Sequence, residues 1–77
     1  MDMRVLVGRN FARLRREKGL TQEEVATRSG FSQQYVSDLE RGKRNPTIVS
    51  LYELAQVLGV SHIDLVRFEK DDDASSS

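Results

Sequence analysis

Apolar residues recur along this chain at three- and four-residue intervals, and no alternating apolar–polar run is long enough for a hairpin. Val7, Phe11 and Leu14 form the first such stripe, with Arg9, Arg13 and Arg16 on other faces, which predicts an amphipathic helix closed by Gly19. Thr21-Gln22-Glu23-Glu24 then reads as a capping box, with Thr21 bonding the Glu24 amide and Glu24 reaching back. It opens a second helix with Val25 and Ala26 inward, ended by Gly30. Ser32 caps a third, with Val36 and Leu39 as its buried positions, closed by Gly42. Pro46 ends the next loop, and Thr47 caps a fourth helix whose stripe is Ile48, Leu51, Leu54, Ala55 and Leu58, with Gly59 at its end. Ser61 caps a last short helix, SHIDLVRF. The prediction is an all-α chain of five helices, with no run suited to a hairpin and no internal repeat.

A 77-residue chain is one small domain, near the lower limit for folding on a hydrophobic core alone. It has no cysteine, so neither a disulfide framework nor a thiolate metal site is available. No segment approaches the roughly 18 apolar residues of a membrane span, and the N-terminus lacks a signal-peptide apolar region. A cytoplasmic protein is expected.

The formal net charge is zero, but the charges are unevenly placed. Residues 69–77, EKDDDASSS, carry four acids against one lysine; residues 1–68 carry 11 Lys or Arg against 8 Asp or Glu, a formal +3. The expected organisation is therefore a domain over 1–68 and an acidic, serine-rich disordered tail over 69–77. Three adjacent aspartates without a glycine-turned loop read as a solvated tail rather than a cation site.

The second and third helices are separated by only Ser29-Gly30-Phe31-Ser32, so they must cross steeply, in helix-turn-helix geometry. The small Ala26 lets them approach, Gly30 suits a turn with positive φ, and Phe31, Val36 and Leu39 fill the angle. The third helix starts with two glutamines and runs into Arg41-Gly42-Lys43-Arg44-Asn45, a composition unusual for a mere connector. Gly19-Leu20-Thr21-Gln22-Glu23-Glu24-Val25-Ala26, Gly30-Phe31-Ser32, Val36-Ser37 and Glu40-Arg41-Gly42-Lys43-Arg44-Asn45-Pro46 strongly resemble the Cro and lambda-repressor (xenobiotic-response-element) family of helix-turn-helix regulators. The resemblance runs from about Val7 to Val66. Within the family the chain looks most like restriction–modification controllers and small prophage regulators.

That resemblance implies a compact lambda-repressor-like domain, encoded by a bacterium or phage and nucleoid-associated when bound, whose third helix reads double-stranded DNA in the major groove. The residues agree on chemical grounds. Gln33 and Gln34 occupy the first turn, the part that meets base edges, and a glutamine amide matches the N6 and N7 edge of adenine. Alone they would pass for two solvated residues. Ser37 and Asp38 lie one turn on; the family places a base contact at the Asp38 position, where the carboxylate could accept from cytosine N4. Tyr35 either reaches the sugar–phosphate or covers Val36. Gln22 opens the second helix, where amides and a side-chain donor can hold a phosphate, and Arg41, Lys43, Arg44 and Asn45 form the opposite clamp. Backbone contacts of this kind position a module without choosing sequence. By family position Arg15 pairs with Glu40, against the plain alternative of a weak surface pair.

A single helix covers few base pairs, so a homodimer on a palindromic operator is expected. Val60 and Leu65 belong to the core by family position, leaving Ile63, Val66 and Phe68 as surplus apolar residues for the dimer interface; the alternative is that they cover the first or fourth helix. Other classes fit less well. His62 is the single histidine, taken as an exposed residue, and no catalytic set or glycine-rich phosphate loop accompanies it, so no enzyme is expected. No metal, cofactor or small-molecule ligand is implied. RNA binding lacks interleaved exposed aromatics. A protein-binding module of antitoxin or coactivator type remains the alternative on the same fold.

Overall fold

In the computed structural model, which describes residues 2–68, the first helix starts earlier than its apolar stripe suggests. Asp2 is its N-cap, accepting the Arg4 amide at 2.8 Å, and the helix α1 runs Met3–Glu17. Among the described residues there are four more helices: α2 Gln22–Ser29, α3 Gln33–Glu40, α4 Ile48–Leu58 and α5 His62–Val66. Each predicted cap is in place. Thr21 Oγ1 accepts the Glu24 amide at 3.0 Å while Glu24 Oε1 accepts the Thr21 amide at 2.9 Å. Ser32, Thr47 and Ser61 open α3, α4 and α5 in the same manner, each accepting a first-turn amide. The acidic tail expected over 69–77 lies outside the described residues.

The core joins all five helices through Phe11, Val25, Val36, Leu39, Leu54, Ala55, Leu58 and Leu65, with Leu20, Phe31 and Val60 packed on its margin. The helix α1 packs on α3 and α5, α2 on α3 and α4, and α4 on α5. Between α2 and α3 the chain turns at Gly30, whose φ of +84° lies in the left-handed region. One close approach was not foreseen. Gly8 of α1 lies against the carbonyl oxygens of Leu39 and Glu40, where an added Cβ would overlap backbone atoms. The helix α3 therefore abuts the backbone of α1, and a side chain at position 8 would push it away.

Three expectations need correction. Ile48, assigned to the α4 stripe, is 65% exposed, because the stripe at the first helical residue has run past the core, which begins at Leu51. His62 is half-buried rather than exposed, its ring tilted against Tyr52 with centroids 6.1 Å apart. The last helix ends at Val66, and Arg67 is already extended at φ −78°, ψ 134°.

Asn10 explains that early end. It is fully buried, and its Nδ2 donates to the Leu65 carbonyl at 2.9 Å and to the Arg67 carbonyl at 2.8 Å. One amide on α1 thus satisfies two carbonyls that α5 leaves open and fixes where the C-terminal segment lies. Asn10→Leu keeps the volume and removes the donors, so it is expected to cost about 1–3 kcal/mol. In a domain of this size that lowers the melting temperature by at least roughly 4 °C. Thermal unfolding followed by circular dichroism checks it; an unchanged melting temperature would mean that water satisfies the two carbonyls.

Candidate nucleic-acid interface

Two side-chain clusters organise the surface around α3. The first lies at its C-terminal end and is largely shielded from solvent. Glu40 Oε2 accepts from Arg15 Nε at 2.6 Å, and Glu40 Oε1 accepts from Arg15 Nη2 at 3.1 Å. Gln22 Nε2 also donates to Glu40 Oε1 at 3.0 Å, and Arg15 Nη1 donates to the Leu20 carbonyl at 2.9 Å. Side-chain exposure is 13% for Arg15 and 7% for Glu40, so this two-pronged pair is no solvated surface bridge. One carboxylate ties α1, α2 and α3 together.

The Gln22 contact changes what that residue offers DNA. One N–H of its amide is directed inward at Glu40, and the second N–H is what remains for a phosphate oxygen. The Glu24 amide, also at the start of α2, is already taken by Thr21.

The second cluster lies on the outer face of α3. Gln33 and Gln34 are exposed in its first turn, and Ser37 is half-buried one turn on. Asp38 is held by three neighbours. Its Oδ1 accepts from Gln34 Nε2 at 2.9 Å and from Arg41 Nη2 at 2.6 Å, and its Oδ2 lies 3.4 Å from Arg44 Nη2. The Arg41 hydrogen bond, and after it the Gln34 one, hold the Asp38 carboxyl below its ordinary value, so it is ionised at neutral pH. Tyr35 stacks on Phe31 with centroids 4.7 Å apart, and the Arg44 guanidinium lies 5.1 Å from the Tyr35 ring centre. The ring therefore steadies a cation of the basic loop. Lys43 and Asn45 are exposed, Asn45 beside a small cleft also lined by Pro46, Leu51 and Val66.

The structure thus brings Gln34, Tyr35, Asp38, Arg41 and Arg44 together, and Arg15, Gln22 and Glu40 together. Of the residues expected at a dimer interface, Ile63 and Phe68 are exposed, at 51% and 45%, whereas Val66 leans on the core and is less available than its spacing suggested. Sequence reasoning missed a second apolar surface: Ile48, Val49 and Tyr52 at the start of α4 line one shallow groove with His62 of α5. Its signal was Val49 and Tyr52, a three-residue spacing beside the core stripe.

A Helix-turn-helix family model matches residues 11–65. An uncharacterised HTH-type transcriptional regulator of Sinorhizobium fredii is 80% identical over 66 residues, covering 86% of each chain. Among solved structures, the hypothetical transcription factor NHTF from Neisseria superposes with a TM-score of 0.84 at 29% identity, over 99% of this chain and 86% of that one. The restriction–modification controller protein C.AhdI from Aeromonas hydrophila gives 0.77 at 39% identity, over 80% and 90%.

Proposed function

This chain belongs to the Helix-turn-helix family and is a DNA-binding transcriptional regulator, and on that premise we propose how it engages DNA. The family is one of regulators rather than enzymes. The helix α3 enters the major groove with Gln33 and Gln34 at base edges. Lys43, Arg44, Asn45 and Arg41 hold the phosphate backbone on one side, and the second N–H of Gln22 holds it on the other. The observation that carries this reading is the placement of two exposed glutamines in the first turn of a helix that Glu40 fastens to both α1 and α2. A reader must be held in place to discriminate, and the Glu40 contacts to Arg15 and Gln22 support that role for α3. Its outer face carries amides and charges rather than an apolar patch, which supports DNA over a protein ligand there.

The working unit is a cytoplasmic homodimer on a palindromic operator, with half-sites about 10 base pairs, or roughly 34 Å, apart. Its interface is built from Ile63 and Phe68 together with the α4–α5 groove of Ile48, Val49 and Tyr52. Among the described residues no helix is long and apolar enough to cross a membrane.

Selection of bound fragments from a random DNA pool is expected to return a motif with twofold symmetry. Gln33→Ala should then weaken binding to that motif by about 1–3 kcal/mol and relax choice at one base pair of each half-site. Lys43→Ala should weaken all sequences alike and reduce the logarithmic salt dependence by about one unit per protomer. Equal changes in preference from both substitutions would refute the division between reader and clamp.

A further inference from the structure

Asp38 lies one helical turn beyond Gln34, on the face that meets DNA in the proposed binding mode, on which this inference rests. An acid there is at first sight a defect, since it repels phosphate. Its contacts give it a different task. An ionised carboxylate accepts hydrogen bonds and donates none, so the Gln34 amide beside it has one permitted polarity: nitrogen toward Asp38, oxygen away. A glutamine free to flip can present donor and acceptor in either order. One held this way presents them in a single order, with the amide oxygen and the second N–H left for a base edge.

The same carboxylate holds Arg41 at 2.6 Å and Arg44 at 3.4 Å, and the Tyr35 ring holds Arg44 from another side. Three donor groups on one short side chain leave it poorly placed to accept from cytosine as well. The negative charge of Asp38 also lowers the net positive charge that this edge shows to DNA of arbitrary sequence, and with it the sequence-independent affinity, which grows with the number of phosphates neutralised.

We propose that Asp38 is the specificity-setting positioning residue of this interface: it fixes the order in which the Gln34 amide offers acceptor and donor, and it offsets part of the sequence-independent phosphate attraction that Arg41 and Arg44 supply as members of the clamp. It reads no base itself.

Asp38→Asn tests this with nearly identical shape, since asparagine has no charge and tolerates either amide polarity beside it. Wild type and variant are compared by pool selection, then by titration of the selected duplex and a scrambled one across a salt series. The expected result has two parts. Preference at the base pair that Gln34→Ala also relaxes falls by about fivefold or more, and scrambled DNA binds more tightly with a steeper salt dependence. In a Gln34→Ala background D38N no longer alters base preference but still raises affinity for scrambled DNA. A loss of preference at a base pair indifferent to Gln34→Ala would make Asp38 a direct reader and overturn the proposal. Unchanged preference together with unchanged scrambled affinity overturns it too, while leaving α3 as reader if the wild type selects a motif. A wild type that selects no motif removes the reading role itself, and this proposal with it.

Discussion

Glu40→Ala is expected to unfold the protein far below the wild-type melting temperature, at a cost of about 3 kcal/mol or more. The substitution leaves the Arg15 guanidinium mostly buried without its carboxylate and takes the acceptor from Gln22. Removing one member of a buried pair is costly because the other stays desolvated and uncompensated. A domain of 77 residues has a total stability of roughly 4–12 kcal/mol at typical values per residue, so this single change removes a large share of it. Arg15→Ala should cost less, since the Glu40 carboxylate keeps the Gln22 hydrogen bond. The double variant should be more stable than the two separate losses predict, because it contains no orphaned charge. Thermal unfolding of the four proteins gives the coupling. Additive losses, each below about 1 kcal/mol, would reduce the pair to a surface bridge. A second readout separates stability from seating: at a temperature where Arg15→Ala is still folded, it should bind operator more weakly, because α3 has lost one of its two fastenings.

The helices were legible in the sequence because their signals are local. Thr21, Ser32, Thr47 and Ser61 announce helix starts through hydroxyls that reach amides two or three residues on, and four positive-φ glycines mark loops between elements. Positions for Gln33 and Gln34 came from the same caps. The start of α1 was missed because Asp2 lies ahead of the apolar stripe that begins at Val7. Ile48 shows the limit of periodicity: a stripe says which residues share a face, not where the opposing surface ends.

Long-range polar contacts were the least legible. Asn10 and Arg67 are 57 residues apart, and nothing in either neighbourhood points to the other. Asp38 is the instructive case. Its spacing from Gln34 and Arg41 suits contact along one helix face, but a residue given to a base by family position was not weighed as a partner for its neighbours. Base contact and neighbour contact draw on the same two carboxylate oxygens, and only the folded arrangement shows how many donors surround them.

Ile63→Glu is expected to turn the protein into a folded monomer with operator binding weakened by at least about 100-fold. Ile63 is 51% exposed and outside the core, so a glutamate there costs the monomer little. The loss comes from assembly. One small module buries roughly 600–1,000 Å² on DNA, too little for tight specific binding. Joining two modules makes the second half-site an intramolecular event worth about 10²–10⁴ in avidity. A twofold interface also doubles each substitution, since both copies bring a glutamate to the same self-complementary patch. Ile48→Glu, across the groove on α4 and 65% exposed, should do the same if α4 and α5 form one surface. Sedimentation gives the mass, circular dichroism the fold, and titration of a full operator against a half-site the affinity. The two variants should bind the full operator little better than a half-site, whereas the wild type should discriminate strongly. Variants that remain dimeric would move the interface off this groove and make Phe68→Glu the next probe. Folded monomers with undiminished affinity for the full operator would show that a single copy is the working unit.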